Sequence, residues 1–313
     1  MTFTPRMICT LFLFTTLTLF TGATFAQNPE GDPIGPGNEI HDQRTGSVLI
    51  YNYFTSNSFS GTNTLISITN TNATTGIMVK LAIVIGDYRY ASLLYLLLAP
   101  NQTQTFRMGD VDPEITGYII AYASSQDGTP LQFDYLMGLA TITLAAGQQA
   151  TLGALAVPTN PNGSLAALPR QLALDQVPSP QDNVDRMLII NRIDGDLTGG
   201  NSRMPAIGAL QGEMFNDRGT RFLFHTSANQ GSQATIFTRD FLAFNLRFLP
   251  SGRYGWLRLR PTGAGAITGA VLYFTRNPQN GTRTPAPGSY NLRHLTNTQA
   301  TLYTPGGPLL FGY

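Results

Sequence analysis

Apolar residues recur along this chain with a period of two, in short runs broken by Gly, Pro or Asn. In Ile77–Ile85 (IMVKLAIVI) one face takes Ile77, Val79, Leu81, Ile83 and Ile85, while Lys80 falls on the other beside Met78 and Ala82. In residues 65–70 (LISITN), Ile66 and Ile68 share one face and Ser67 and Thr69 the other. A period of two is the pleat of a β-strand, whereas an amphipathic helix repeats every 3.6 residues. Similar patterns fall at 47–54, 91–98, 103–108, 117–122, 131–136, 140–144 and 150–157. They resume at 187–192, 207–215, 221–225, 241–248, 254–260, 267–275, 290–295 and 300–303. The chain therefore reads as all-β, and short strands with frequent turns point to antiparallel sandwiches.

Composition agrees and excludes other classes. Gly (32) and Pro (20) supply the turns, and charged residues are only 12% of the 313, about half the share of a typical soluble domain. A formal charge of +1 lacks the basic excess of a nucleic-acid binder, so no nucleic-acid partner is expected. The 42% hydrophobic content with so little net charge excludes a disordered chain.

The first 26 residues read as a secretory signal peptide. Arg6 supplies a positive start, residues 11–20 (LFLFTTLTLF) a short apolar run, and residues 23–26 (ATFA) a small-residue cleavage site before Gln27. Cleavage would remove Arg6 and Cys9, the only cysteine, leaving 19 − 1 = 18 basic residues against 18 acidic ones. Thiol catalysis, cysteine-ligated zinc and iron–sulfur clusters are then excluded from the mature chain. No transmembrane helix is expected after cleavage. The expected location is extracellular or the periplasm and cell envelope.

The expected organisation is an extended Pro/Gly-rich leader at 27–44, a first β-sandwich at 45–157, a linker at 158–169 (PTNPNGSLAALP) and a second β-sandwich at 170–313. The halves read as related. Ile68-Thr69-Asn70 resembles Ile189-Ile190-Asn191. Phe106-Arg107-Met108 followed by Ile115-Thr116-Gly117 resembles Leu257-Arg258-Leu259 followed by Ile267-Thr268-Gly269.

The segments GSVLIYNYFTS, NTLISITNTN, LAPNQTQTFRMGDVDPEITGYIIAYA and PSGRYGWLRL resemble parts of secreted bacterial proteins of uncharacterised function with tandem immunoglobulin-like β-sandwich domains. The resemblance covers most of residues 45–305, and the DVDP-x-x-TGY stretch is its most specific part. It implies export and an immunoglobulin-like fold. It implies no activity and no catalytic residues. Members of that group often carry cysteines after the third strand pattern, where this chain reads GDYRYASLLYL without one.

Chemical motifs are sparse. The three histidines, His41, His225 and His294, form no His-x-x-x-His pair, and Gly-x-Ser-x-Gly is absent. Gly263 to Gly269 is glycine-rich but has the wrong spacing for a dinucleotide loop. No catalytic residue is assigned and no cofactor is expected. Asp110, Asp112 and Glu114 (DVDPE) are the candidate metal ligands, because Ca²⁺ takes several carboxylate and carbonyl oxygens. Equally, Asp side chains in such a loop bond nearby backbone N–H groups. Tyr254, Trp256, Arg258 and Arg260 are the candidate ligand contacts. On a strand they share one face, with Leu257 and Leu259 turned to the core. Such a strip could stack on a sugar, or could form an intramolecular ladder in which Arg stems cover Trp256.

The expected function is an exported, non-enzymatic module of the extracellular space or envelope, structural or binding, with an envelope protein or glycan as partner. One alternative is a secreted polysaccharide-active hydrolase with a cleft joining His225 or loop carboxylates. A second is an outer-membrane β-barrel. The all-round apolar 77–85 and 91–98 segments count against the barrel, whose strands alternate lipid-facing and lumen-facing residues.

Overall fold

The computed structural model describes residues 40–57, 59–86, 91–198, 203–242 and 248–311. The expected signal peptide and leader residues 27–39 lie outside them. The first half runs β1 (Val48–Thr55), β2 (Asn63–Asn70), β3 (Ile77–Ile85), β4 (Ala91–Leu98), β5 (Thr103–Arg107), a one-turn helix α1 (Met108–Val111), β6 (Thr116–Ser124), β7 (Leu136–Thr143), β8 (Gln149–Gly153) and β9 (Leu155–Val157). The second half runs β10 (Leu168–Pro178), β11 (Val184–Arg192), β12 (Gly195–Asp196), β13 (Leu210–Phe215), β14 (Arg221–His225), β15 (Gln233–Phe237), α2 (Thr238–Leu242), β16 (Tyr254–Pro261), β17 (Ile267–Arg276), β18 (Arg283–Asn291) and β19 (Arg293–Thr298). β20 (Ala300–Thr304) and β21 (Gly307–Phe311) end it.

These strands form five sheets. Sheet A has the order β4-β3-β6-β1-β9 and sheet B the order β5-β2-β7-β8. Sheet D is β14-β13-β16-β10-β19, sheet E is β15-β11-β17-β18, and sheet C is β12-β20-β21. Pairing is antiparallel except for β12 with β20. The order in D repeats that in A, and the order in E repeats that in B, with α2 standing where α1 stands. The halves are thus a topological repeat. The strands β2 and β11, which carry Ile68-Thr69-Asn70 and Ile189-Ile190-Asn191, are counterparts, but the triplets are offset by one residue: Ile68 faces sheet A as Ile190 faces sheet D, while Ile189 faces sheet B. The other sequence match is out of step. Phe106-Arg107 ends β5, whose counterpart is β15, whereas Leu257-Arg258-Leu259 belongs to β16, the counterpart of β6.

The expected pair of tandem immunoglobulin-like β-sandwich domains is corrected. The chain is all-β, but its five small sheets stand as the blades of a five-bladed, propeller-like body. The blades are interleaved rather than simple meanders, as the strand orders show. Residues Gly37–Tyr313 form one compact unit. Two of its four cores stay within one expected half and two cross the expected boundary. One core lies between A and B, around Leu49, Tyr51, Ile66, Leu81 and Leu136, and another between D and E, around Leu174, Leu188, Leu257 and Val271. A third joins the other face of A to sheet C and to residues 165–168, through Ile50, Tyr118, Leu165, Leu168, Leu302 and Leu309. A fourth joins B to E through Ile142, Leu152, Ile189 and Leu272. At about 25 cal/mol per Å² of apolar surface removed from water, such shared cores weld the sheets together. Strand alternation shows that a side is buried, but not which sheet covers it.

Polar contacts repeat the welding. Asn52 of β1 donates from Nδ2 to the Gly269 carbonyl at 3.1 Å and to Asn291 Oδ1 at 2.8 Å. Asn191 of β11 donates back to the Asn52 carbonyl at 2.7 Å and accepts from Gln233 Nε2 at 2.8 Å. The Tyr118 hydroxyl donates to the Arg192 carbonyl at 2.5 Å. Both Asn52 and Asn191 are buried, so these bonds satisfy groups that water cannot reach.

Two further expectations change. Residues 131–135 form no strand, and β7 begins at Leu136. The strand expected from Phe241 begins instead inside α2, and residues 243–247 of that pattern lie outside the described set. The sheets are open, so the described residues close no barrel. Among them no helix is long and apolar enough to cross a membrane.

Candidate functional site

Sheet D buries one face against sheet E and turns the other outward, and β16 lies at its centre. Leu257 and Leu259 point into the core at 0% and 2% exposure. Tyr254 and Arg260 are exposed, and Trp256 and Arg258 are half-buried on the outer face. This is the alternation read from the sequence. The register places Phe215, Glu213 and Gln211 of β13 opposite Trp256, Arg258 and Arg260. On the other side of β16, Ala173 of β10 lies opposite Arg258.

Trp256 is stacked on Phe215, with ring centroids 4.1 Å apart and planes 6° from parallel. The Arg258 guanidinium lies 4.9 Å from the Trp256 ring centre and 5.1 Å from that of Phe215. Its Nε is buried and makes no hydrogen bond. Arg260 donates from Nε at 3.0 Å and Nη2 at 2.8 Å to Gln211 Oε1. The four candidate contacts thus lie on one strand face as an aromatic–guanidinium ladder. One face of Trp256 is already covered by Phe215, a partner that sequence reading missed. Its position two residues after Glu213, on a strand alternating with Leu210 and Met214, was the available signal. Arg221 and His225 of β14 and Arg293 of β19 are exposed at the two edges of the same sheet. Arg293 pairs with Asp175 at 3.1 Å.

The carboxylates Asp110, Asp112 and Glu114 follow or lie within the single turn of α1. Ser56 pins this loop: its Oγ donates to the Asp112 carbonyl at 2.7 Å, and its carbonyl accepts from the Glu114 N–H at 2.9 Å. Asp112 Oδ2 accepts from Ser92 Oγ at 3.0 Å. Glu114 adopts φ 64°, a left-handed conformation uncommon outside glycine. Among the described residues no group of three or more His, Cys, Asp or Glu side chains is placed to hold a metal ion. The structure therefore does not bring these three together as one ligand set. Their bonds are those of a closed β5–β6 connection.

His225 stands at the exposed end of β14. His294 of β19 turns to the inner side, where burial lowers its pKa to about 4 against an opposing effect of the Asp42 carboxylate. Its Nε2 is buried without a hydrogen-bond partner. A crevice of ≈ 700 Å³ is lined by Asn162, Ser164, Asp194, Gly265, Thr301 and Leu310. Asp194 is the carboxylate there, and Arg192 holds it through Nε and Nη2. A second crevice of ≈ 350 Å³ beside Arg107 contains no carboxylate.

No protein-family model matches the chain. None of the curated proteins matches it. Among solved structures, a calcium binding mutant of Bacteroides uniformis beta-glucuronidase 2 aligns with 89% of this chain at 10% identity and a TM-score of 0.16. The chain spans about 30% of that protein's length, and so low a score carries no argument about fold or activity.

Proposed function

We propose that the protein is an exported, non-enzymatic module of the envelope or extracellular space that binds an acidic glycan on the outer face of sheet D. The observation that carries this reading is the Arg258 guanidinium. It is held over Trp256 and Phe215 with a buried Nε that makes no hydrogen bond. Arg donors suit carboxylates, and an exposed aromatic ring suits the apolar face of a sugar. Tyr254, 48% exposed at one end of the strip, supplies such a ring, and Arg260 and Arg221 extend the cationic side. Flat, open sheet faces suit extended polymers better than small substrates, whose sites are concave. Export rests on the N-terminal pattern described above.

The test is an array of uronate-bearing and neutral polysaccharides probed with the mature chain and with Arg258→Ala and Tyr254→Ala. Binding to acidic polymers that both substitutions weaken supports the proposal. Binding unchanged in both variants, or no binding to any polymer, rejects it.

A further inference from the structure

We propose that the outer edge of β4 is a self-pairing surface, on which β4 of a second copy of this chain adds antiparallel about a two-fold axis. A strand at a sheet edge leaves a row of backbone N–H and C=O groups free, and natural proteins blunt such edges with charge, proline, bulges, shortness or a covering segment. β4 carries none of the first four. It is the eight-residue run ASLLYLLL, without charge, proline or glycine. It pairs with β3 from Val84↔Ala91 to Ile77↔Leu98 without a register shift. Among the described residues the side-chain bond to its backbone is from Gln104 Nε2 to the Leu97 carbonyl at 3.0 Å, near its end. Leu97 and Tyr95 are 69% and 50% exposed.

The other edges of the large sheets are guarded. β9 is covered by His41, which exchanges two backbone bonds with Ala156. Ser289 Oγ caps both the N–H and the carbonyl of Thr151 on β8. β18 contains Pro285 and Pro287 and a register shift. β5, β14 and β15 are five residues long, β14 carries Arg221, and β19 carries Arg293.

The placement of the described N-terminal residues favours a second copy over the chain's own N-terminal end. The described chain starts at Ile40 and passes through His41 at β9, the opposite edge of sheet A. Four strand spacings, roughly 19 Å, separate the two edges, so the N-terminal end of the described chain serves the edge away from β4. An uncharged strand is compatible with its own copy, since no like charges meet across the two-fold.

Sedimentation of the mature chain over a dilution series, with hydrogen exchange of β4 amides at each concentration, tests the proposal. The expected result is a mass of twice the chain that falls to once on dilution, with exchange in β4 accelerating in step. Leu97→Lys, a change at an exposed side chain, should give the single mass throughout. A wild-type chain of single mass at every concentration overturns the proposal. So does a dimer whose β4 exchange ignores dilution, a readout that stands even if Leu97→Lys folds poorly.

Discussion

The Trp256 indole and the Phe215 ring lie face to face across β16 and β13, 4.1 Å between centroids and 6° from parallel, with the Arg258 guanidinium beside both. Aromatic pairs of this kind contribute roughly 0.5–1.5 kcal/mol beyond the area they bury. A double-mutant cycle with Trp256→Ala and Phe215→Ala, read by denaturant unfolding, should return a coupling within that range. A coupling near zero would mean that the ladder is incidental.

The halves should unfold as one. Asn191 Nδ2 donates to the carbonyl and Oδ1 of Asn52 across the expected domain boundary in a buried site. Asn191→Ala leaves the Gln233 amide and part of Asn52 unpaired, at about 1–3 kcal/mol for each stranded group. Calorimetry should show a single transition in the wild type that moves to lower temperature in the variant. Two transitions in the wild type would contradict the shared cores.

His294 gives the stability a pH dependence of known sign. Its folded pKa, about 4, lies below the usual histidine value of 6.5, so between these values the unfolded chain binds more protons. Stability from this site is complete above about pH 6.5 and is lost as pH falls toward 4. Over that window the loss is on the order of 3 kcal/mol. His294→Gln should flatten the curve of unfolding free energy between pH 6.5 and 4 relative to wild type.

Gly117 is the second residue of β6, in the TGY stretch. A Cβ built there would collide with the Val84 carbonyl oxygen, and that neighbour is backbone. Gly117→Ala should cost about 3 kcal/mol by forcing β3 and β6 apart. Equal melting temperatures for variant and wild type would show that the two strands are less tightly held.

Much of the strand content was legible because side-chain alternation is local. Leu257 and Leu259 inward, with Trp256 and Arg258 outward, follow from spacing alone. The partner sheets were not legible. Nothing in Ile142 or Ile189 marks them as meeting across the chain's midpoint, and Asn52 and Asn191 carry no sequence sign of being buried partners. Residues 158–169 read as a linker from their prolines, yet Leu165, Ala166 and Leu168 pack into the core beside sheet A. The short helix α2 was hidden because a run beginning Phe241-Leu242 alternates as well as any strand. The candidate face was found as a set of side chains, but Phe215, which orients the ladder, lay on a strand 41 residues away in sequence (256 − 215).

The central claim is that the outer face of sheet D binds an acidic polymer through Arg258. Its most direct test is isothermal titration of a uronate polysaccharide into the chain from Gln27 onward and into its Arg258→Ala variant, at low and high salt. The account predicts measurable binding that weakens with salt and falls at least about tenfold in Arg258→Ala, corresponding to 1.4 kcal/mol, while the variant keeps its fold. Affinity that is the same in wild type and Arg258→Ala, or absent in both, would contradict it.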